Sequence, residues 1–168
     1  MDQFLLRRLA ASDAEAFREL RLEGLRDHPE AFGSSWEEES ERPLARFKEG
    51  LERSVVLAGA TDGGRLLGMV GLAVPEAPKL RHKGMLWGMY VRPEARGSGL
   101  AAALVARVLQ EARGTVEDVR LSVVTSNTAA IRLYIRHGFE EYGLERRALK
   151  LAGRYHDELL MVRSVRSD

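Results

Sequence analysis

The sequence predicts a mixed α/β domain in which a central β-sheet is flanked by about four helices. The chain has 168 residues, of which 45% are hydrophobic and 30% are charged, the composition of a globular domain. Short apolar segments and helix-like segments follow one another in the order β-α-α-β-β-β-α-β-α-β-β, which is typical of this fold class. Since no linker, repeat or low-complexity stretch interrupts them, we expect residues 1–168 to form a single domain.

Composition and charge exclude several kinds of site. The chain has no cysteine, which excludes disulfide scaffolds, thiolate zinc sites and cysteine nucleophiles, and we expect no metal. The net charge of +1 gives no indication of a nucleic-acid or membrane partner. Residues 1–50 carry a net charge of −4 and residues 51–168 a net charge of +5. This unevenness would suit an anionic ligand in the C-terminal part, but without a supporting motif an uneven solvated surface is the preferred explanation.

The N-terminus and the apolar segments predict a cytoplasmic location. The first residues lack the positive charge and apolar core of a signal peptide. No apolar run approaches the roughly 18 residues that a membrane-spanning helix needs. We therefore expect a soluble protein that does not associate with membranes.

The first third of the chain is predicted to form a strand and two helices. Residues 4–9 are short and apolar, as in a strand. Ser12 and Glu15 have the spacing of a capping box, which predicts a helix that ends before Pro29. A second helix is predicted near residues 34–35, with an acidic first turn that the helix dipole favours.

The rest of the chain is predicted to contain six strands and two helices. Residues 55–60 and 66–74 form a hairpin around the turn at 62–64, and residues 85–91 form the next strand. A helix over 97–113, a buried strand over 119–124 and a helix over 127–137 follow. Gly138 is the expected left-handed cap of that last helix. Two final strands, 139–150 and 155–165, are joined through Gly153.

The turn between the strand at 85–91 and the following helix has the chemistry of an anion site. Gly97 and Gly99 leave backbone amides without side chains in front of them, at a helix N-terminus that favours negative charge. Arg96 adds a fixed positive charge beside them. A pyrophosphate would fit such a turn, although the glycines are explained equally by close packing of the helix on the sheet.

Two nucleotide-binding motifs compete for the same turn. It is not a P-loop, because no Lys-Ser or Lys-Thr pair follows the glycines. The loose dinucleotide pattern is satisfied by Gly97, Gly99 and Ala102, but its acidic residue should end the next strand. The acids Glu117 and Asp118 precede that strand instead, so the pattern lacks its context.

A second segment places polar groups on one side of a helix. Asn127, Ala130 and Tyr134 lie on adjacent turns of the helix over 127–137, so their side chains would line one slot. Asn127 either caps the helix or binds a ligand at its mouth. Tyr134 is open to two interpretations, a core aromatic or a catalytic phenol.

These two segments together resemble a known superfamily. Arg96-Gly97-Ser98-Gly99-Leu100-Ala101 is similar to the Gln/Arg-x-x-Gly-x-Gly/Ala signature of the GNAT superfamily of N-acetyltransferases. Asn127-x-x-Ala130-x-x-Leu133-Tyr134-x-x-x-Gly138-Phe139 resembles the second acetyl-CoA motif of that superfamily. The order of elements matches as well, so the resemblance covers nearly the whole chain. It implies a GNAT-like acyl-CoA N-acyltransferase fold.

The resemblance also implies a binding site for acetyl-CoA as cosubstrate. In this superfamily two central strands part, and the pantetheine arm of the coenzyme pairs with the first of them, residues 85–91 here. A backbone amide there would polarise the thioester carbonyl, and Tyr134 would protonate the leaving thiolate. The coenzyme-binding residues implied are Met89, Tyr90, Val91, Arg96, Gly97, Ser98, Gly99, Leu100, Ala101, Asn127 and Ala130.

The general base is where the sequence departs from the superfamily. Many members carry a glutamate on the strand before the glycine turn, but residues 85–91 contain no acid. We assign no base from the sequence. The candidates are ordered water and the side chains of Glu37, Glu38, Glu39, His82, His156 and Asp157.

The sequence thus predicts an acetyl-CoA-dependent N-acetyltransferase that moves an acetyl group directly to a primary amine. Its acceptor, a small molecule or a peptide, is not indicated by any motif. The alternative is a non-catalytic domain that binds acyl-CoA as a sensor, and a nicotinamide dehydrogenase rests only on the loose glycine pattern. Exposed apolar strand edges would support a homodimer.

Overall fold

A computed structural model describes residues 4–167. Seven strands and five α-helices follow one another along these residues. The strands are β1 Leu5–Arg8, β2 Val55–Ala60, β3 Leu66–Ala73, β4 Lys83–Val91, β5 Asp118–Val124, β6 Glu140–Leu151 and β7 Arg154–Ser164. The helices are α1 Ala14–Asp27, α2 Trp36–Ser40, α3 Leu44–Arg53, α4 Leu100–Ala112 and α5 Thr128–Arg136.

All seven strands form one sheet in the order β1-β2-β3-β4-β5-β7-β6. Neighbouring strands are antiparallel except β4 and β5, which are parallel. A parallel pair needs a crossover, which α4 provides between β4 and β5. The central mixed sheet predicted from the sequence is confirmed.

Two apolar clusters lie on the two faces of this sheet. The larger contains Leu100, Leu104 and Val108 of α4, which pack against buried residues of β3, β4 and β5. The smaller joins Phe17 and Leu20 of α1 to β2 and β3. Because each helix buries one apolar stripe, the sheet is covered by α4 on one face and by α1 and α3 on the other.

The helix boundaries differ from the sequence-based prediction in two places. The structure contains a helix over Leu44–Arg53 that the sequence analysis missed, so five helices rather than about four flank the sheet within residues 4–167. The Ser12 capping box is wrong. A 3₁₀ turn over Ala11–Asp13 precedes α1, and the Asp13 carboxylate accepts the Ala10 N–H at 2.8 Å.

Other local predictions are confirmed. Ser35 caps α2 by accepting the Glu38 N–H at 3.1 Å, and Gly138 has a φ of +80° after α5. The observed bounds of β2 are those predicted. Among residues 4–167, no helix combines the length and the apolar character that crossing a membrane requires.

Candidate functional site: a cleft between two parting strands

Strands β4 and β5 part soon after they begin. They pair only over Lys83–Met85 with Asp118–Arg120, although β4 continues to Val91 and β5 to Val124. Beyond these pairs, the backbone N–H and C=O groups of β4 that face β5, and those of β5 that face β4, have no strand partner. This opening, which the superfamily resemblance implied, lies in the middle of the sheet.

A bulge in β4 accompanies the parting. On β3, Met69 and Gly71 are two residues apart, whereas their partners on β4, Tyr90 and Trp87, are three apart. The extra residue sits beside Gly88, whose φ of +67° is open to glycine and strained for other residues. A bulge bends its strand and increases its twist, and it therefore helps to turn the end of β4 away from β5.

The parted strands form one wall each of a cleft of about 850 Å³. The glycine turn before α4 closes one end, and the loop after α1 lies along another side. Of the twelve predicted site residues, ten line this cleft: Met89, Tyr90, Val91, Arg96, Gly97, Gly99, Leu100, Ala101, Asn127 and Ala130. Ser98 and Tyr134 do not line it.

The glycine turn exposes several backbone amides. Gly97 and Gly99 have φ values of +77° and +88°, and added Cβ atoms would meet nothing within 4 Å. The N–H groups of Gly97, Gly99 and Ala101 have no hydrogen-bond acceptor within the described residues. Since they lie at the N-terminus of a 13-residue helix, they form a cradle for an anion.

The intervening amides of the turn are already bonded within the protein. Arg96 N–H donates to the Pro93 carbonyl at 3.2 Å, and Ser98 N–H to the Ala95 carbonyl at 3.4 Å. Leu100 N–H donates to the Ser98 hydroxyl at 3.3 Å. That hydroxyl donates in turn to the Ala95 carbonyl at 2.6 Å. Ser98 therefore stabilises the turn from within.

Basic side chains line the cleft, and Arg96 lies at its glycine-turn end. The Arg96 guanidinium donates to the Val91 carbonyl at 3.2 Å and lies 3.0 Å from the His28 ring. Arg136 and His137, at the end of α5, also line the cleft. The sequence analysis predicted Arg96 but missed the other three, because the fold brings them together from distant segments. This end of the cleft suits a polyanion.

Asn127 caps α5 and also lies at the cleft. Its side-chain oxygen accepts the Ala130 N–H at 3.2 Å and so caps α5, and the residue also lines the cleft. Because the cap fixes the carboxamide oxygen, the amide NH₂ of Asn127 is the part of the side chain available to a ligand.

Tyr90 contributes its backbone to the cleft and its side chain to the protein interior. Its hydroxyl donates to Glu23 at 2.9 Å, and its ring packs against Gly24 of α1. Burial, together with this bond to Glu23, raises the pKa of the Tyr90 phenol to about 12. Tyr90 thus anchors α1 beside the cleft.

Tyr134 lies behind the cleft wall. Its ring is 5% exposed and packs edge-on against Phe139, with 5.6 Å between ring centroids. Burial raises the pKa of its phenol above the ordinary value. Its hydroxyl makes no hydrogen bond with the described residues. The hydroxyl oxygen is not fully enclosed, because it keeps a small exposed surface. The phenol is therefore a protonated donor at neutral pH.

The buried Glu39 forms an ion pair with Arg21. The guanidinium donates to both carboxylate oxygens at 3.0 and 3.1 Å and lies between the rings of Phe32 and Trp87. Burial by itself would raise the pKa of Glu39, but the hydrogen bonds from Arg21 outweigh it, and the pKa lies below its ordinary value. Glu39 is thus a structural anion rather than a base.

The other candidate bases lie in varied surroundings. Glu38 is exposed and paired with Arg42, and Asp157 accepts the Arg147 N–H at 2.8 Å. His82 is exposed beside the paired start of β4, away from the opening. His156 lies on β7, and Glu37 lies beside a second cavity.

That second cavity measures about 420 Å³ and adjoins the cleft. It lies between the segment from Pro29 to Glu37 and the tip of the β6–β7 hairpin, Ala148 to Leu151. Glu30 and Phe32 line both cavities, so the two spaces are neighbours. Within residues 4–167, no group of three or more His, Asp or Glu side chains is arranged to hold a metal ion.

The mixed seven-stranded sheet with its flanking helices has the fold of the GNAT acetyltransferases. The sequence model of the Acetyltransferase (GNAT) family matches residues 17–139. The chain belongs to this family of acetyltransferases.

Individual relatives agree with this assignment. The chain is 31% identical over 134 residues to a mycothiol acetyltransferase from Salinispora tropica, covering 78% of this chain and 42% of that protein. It is 36% identical over 96 residues to the N-alpha-acetyltransferase RimI from Mycobacterium tuberculosis, covering 56% and 58%. The chain thus spans about half the length of these curated relatives.

A solved structure shows the same fold. The acetyltransferase yncA from Salmonella typhimurium, determined with its cofactor acetyl-CoA, superposes with a TM-score of 0.81. The two chains are 21% identical, and the match covers 99% of this chain and 96% of yncA.

Proposed function

We propose that the protein transfers the acetyl group of acetyl-CoA directly to a primary amine. The observation that carries this proposal is the opening between β4 and β5, which ends at free amides and basic side chains. Such a cleft accommodates an extended arm with a polyanionic end, the shape and charge of a coenzyme A thioester. Membership of the acetyltransferase family supports the same reaction.

The proposed coenzyme orientation follows from the charges. The pyrophosphate accepts hydrogen bonds from the amides of Gly97, Gly99 and Ala101, and Arg96 lies beside it. The pantetheine arm runs along Met89–Val91, whose backbone lacks a β5 partner. A backbone amide of this segment then stabilises the negative charge that develops on the thioester oxygen.

Tyr134 is the proposed acid for the departing thiolate. A thiol has an ordinary pKa near 8.5 and a phenol near 10, so a protonated phenol can donate as the C–S bond breaks. Burial keeps the Tyr134 phenol protonated at neutral pH. Direct transfer is favoured because the chain has no cysteine that could form an acyl-enzyme.

The proposed acceptor occupies the second cavity, between the loop after α1 and the hairpin tip. This cavity adjoins the cleft at Glu30 and Phe32 and would let an amine approach the thioester from the β6–β7 side. Its lining includes Glu37 and Lys150 as well as apolar groups. The proposed acceptor is an amine on a small molecule or a peptide.

Ligand-dependent melting and thiol release test this function. Acetyl-CoA at one hundred times its dissociation constant should stabilise the protein by about 2.7 kcal/mol, whereas NAD should leave the melting temperature unchanged. A panel of primary amines should then release free coenzyme A thiol. Stabilisation without thiol release for any amine would indicate a sensor, and absence of stabilisation would contradict the coenzyme assignment.

A further inference from the structure

Glu158 occupies a position beside the cleft that the sequence analysis did not identify. It lies on β7 directly opposite Val124, the β5 residue that lines the cleft. Residues directly opposite one another in an antiparallel pair share a face of the sheet, with their Cα atoms about 4.5–5.5 Å apart. Glu158 is therefore one strand away from the cleft wall.

The other neighbours of Glu158 belong to the acceptor side. On β6 its partner is Glu145, three residues before Ala148, where the hairpin segment that lines the second cavity begins. The 3₁₀ turn Pro29–Ala31, which also borders both cavities, packs against β5 and β6. Glu158 thus lies one strand away from the cleft wall, on the hairpin whose tip lines the second cavity.

Glu158 is also an unpaired, half-buried carboxylate. Neither Glu158 nor Glu145 makes an ion pair or a side-chain hydrogen bond within the described residues. Burial raises the pKa of Glu158, and the negative charge of Glu145 raises it further. Other titratable groups on the strands and the turn around Glu158 include His156, Asp157, Arg120, Arg146, Arg147, Lys150 and Glu30.

We propose that Glu158 is the general base that takes a proton from the acceptor ammonium, with Glu145 as a second carboxylate that attracts the cation. This role rests on the proposed acetyl transfer. An alkylammonium group has an ordinary pKa near 10.4, so it must lose a proton before its nitrogen can attack at neutral pH. A half-buried carboxylate flanked by another carboxylate is suited to bind that cation and accept the proton.

The proton and electron balance is complete. The ammonium gives one proton to Glu158, and the nitrogen lone pair then forms the C–N bond at the thioester carbon. When the C–S bond breaks, its electron pair stays on sulfur. Sulfur takes a proton from Tyr134, and the acetylated nitrogen loses a second proton that restores the phenol. Glu158 finally releases its proton to solvent, leaving an amide and coenzyme A thiol.

Glu158→Gln is the direct test, measured by thiol release with the most active amine of the panel. We expect kcat/KM at pH 7 to fall by roughly 10²–10⁴-fold while the acetyl-CoA dissociation constant stays within threefold of wild type. Without the base, the reaction depends on the free amine. The deficit should therefore shrink about tenfold for each pH unit from 7 to 9.

Three further variants separate this role from a structural one. Glu145→Gln removes a negative neighbour and should move the acid limb of the pH profile to lower pH. Glu141→Gln is the matched control, since Glu141 is exposed on β6 opposite the buried Met161 and so lies on the other face. It should have wild-type kinetics. Glu158→Asp keeps a carboxylate and should keep the wild-type pH profile at a lower rate.

The outcomes distinguish the two proposals. An active wild-type enzyme and a Glu158→Gln variant with the same kcat/KM and pH profile would overturn the role of Glu158 alone. A deficit that does not change with pH, in a variant whose coenzyme affinity is intact, would also overturn it. A wild-type protein that releases no thiol with any amine would overturn the acetyl transfer itself and Glu158 with it.

Discussion

The Tyr134 side chain combines a buried ring with a hydroxyl that has no partner in the described residues. An unpartnered hydroxyl contributes little to folding, so its removal should not destabilise the protein appreciably. At the same time burial keeps the phenol protonated. These two properties allow its catalytic role to be tested without disturbing the fold.

Tyr134→Phe should slow thiol release by roughly 10²–10⁴-fold, because the leaving thiolate loses its proton donor. The acetyl-CoA dissociation constant and the melting temperature should change little. Tyr142→Phe is a suitable control, since Tyr142 is exposed and its ring packs against the Arg120 guanidinium. Single-turnover thiol release by the two variants is the measurement, and equal rates would exclude Tyr134 as the acid.

Residues with local chemical signatures were predictable, and residues placed by pairing were not. Gly97, Gly99 and Asn127 follow from turn and cap chemistry that a short stretch of sequence contains. Glu158 depends on the pairing of β7 with β5 and β6. No spacing within the chain shows which residue lies opposite Val124, so this position emerged only from the fold.

At the scale of elements, the glycine turn combines free backbone amides with amides that are bonded within the turn. Gly97, Gly99 and Ala101 present free amides, while Ser98 and Arg96 are bonded within the turn. The positive φ values of the two glycines are what turn the backbone in this way. The turn is therefore both a connection between β4 and α4 and the proposed phosphate site.

Gly97→Ala and Gly64→Ala form a matched pair that separates these two functions. Both glycines have positive φ, +77° and +84°, and a Cβ at either meets nothing within 4 Å. Each variant should lose about 1–2 kcal/mol of folding stability from the left-handed backbone. Only Gly97→Ala puts a methyl group at the proposed phosphate site, and it should weaken acetyl-CoA binding at least tenfold.

Denaturant unfolding and calorimetric titration measure the two effects. The turn containing Gly64 joins β2 to β3 and does not line the cleft. Its variant should bind acetyl-CoA as wild type does. If Gly97→Ala also binds with wild-type affinity, the phosphate does not sit on this turn.

Elements with a strong pattern were predicted well, and weakly marked ones were not. The apolar run of β2 and the capped start of α2 are local signals. Helix α3 spans only ten residues and buries Phe47 and Leu51 as its apolar contacts. Two apolar residues four apart are a weak signal, since most of the stability of this helix comes from packing on α1 and β2.

The whole molecule consists of two half-sheets that meet at a short seam. Strands β1 to β4 carry α1 and α3, and strands β5, β7 and β6 form the other half. Three residue pairs join β4 to β5, and α4 packs against β2, β3 and β4. The parting of the strands is a property of this arrangement. Apart from the superfamily resemblance, no single segment of the sequence indicates it.

A coenzyme lying in the seam should therefore protect amides from hydrogen exchange in a defined pattern. Acetyl-CoA should slow exchange most strongly in the residues 97–102, because the free amides of Gly97, Gly99 and Ala101 gain acceptors. The unpaired stretch Met89–Val91 should slow as well. The turn at residue 63 lies outside the cleft, and its exchange should not change.

Some amides, such as those of β2, exchange only when the whole protein unfolds. At an acetyl-CoA concentration of one hundred times its dissociation constant, mass action limits the slowing of their exchange to about 100-fold. Exchange monitored by mass spectrometry on peptides from each region gives this comparison directly. If protection is spread evenly over both half-sheets and residues 97–102 are not protected more than the rest, acetyl-CoA binds at a site other than the seam. Because the seam contains only three strand pairs, protection concentrated there would show that the coenzyme completes the sheet.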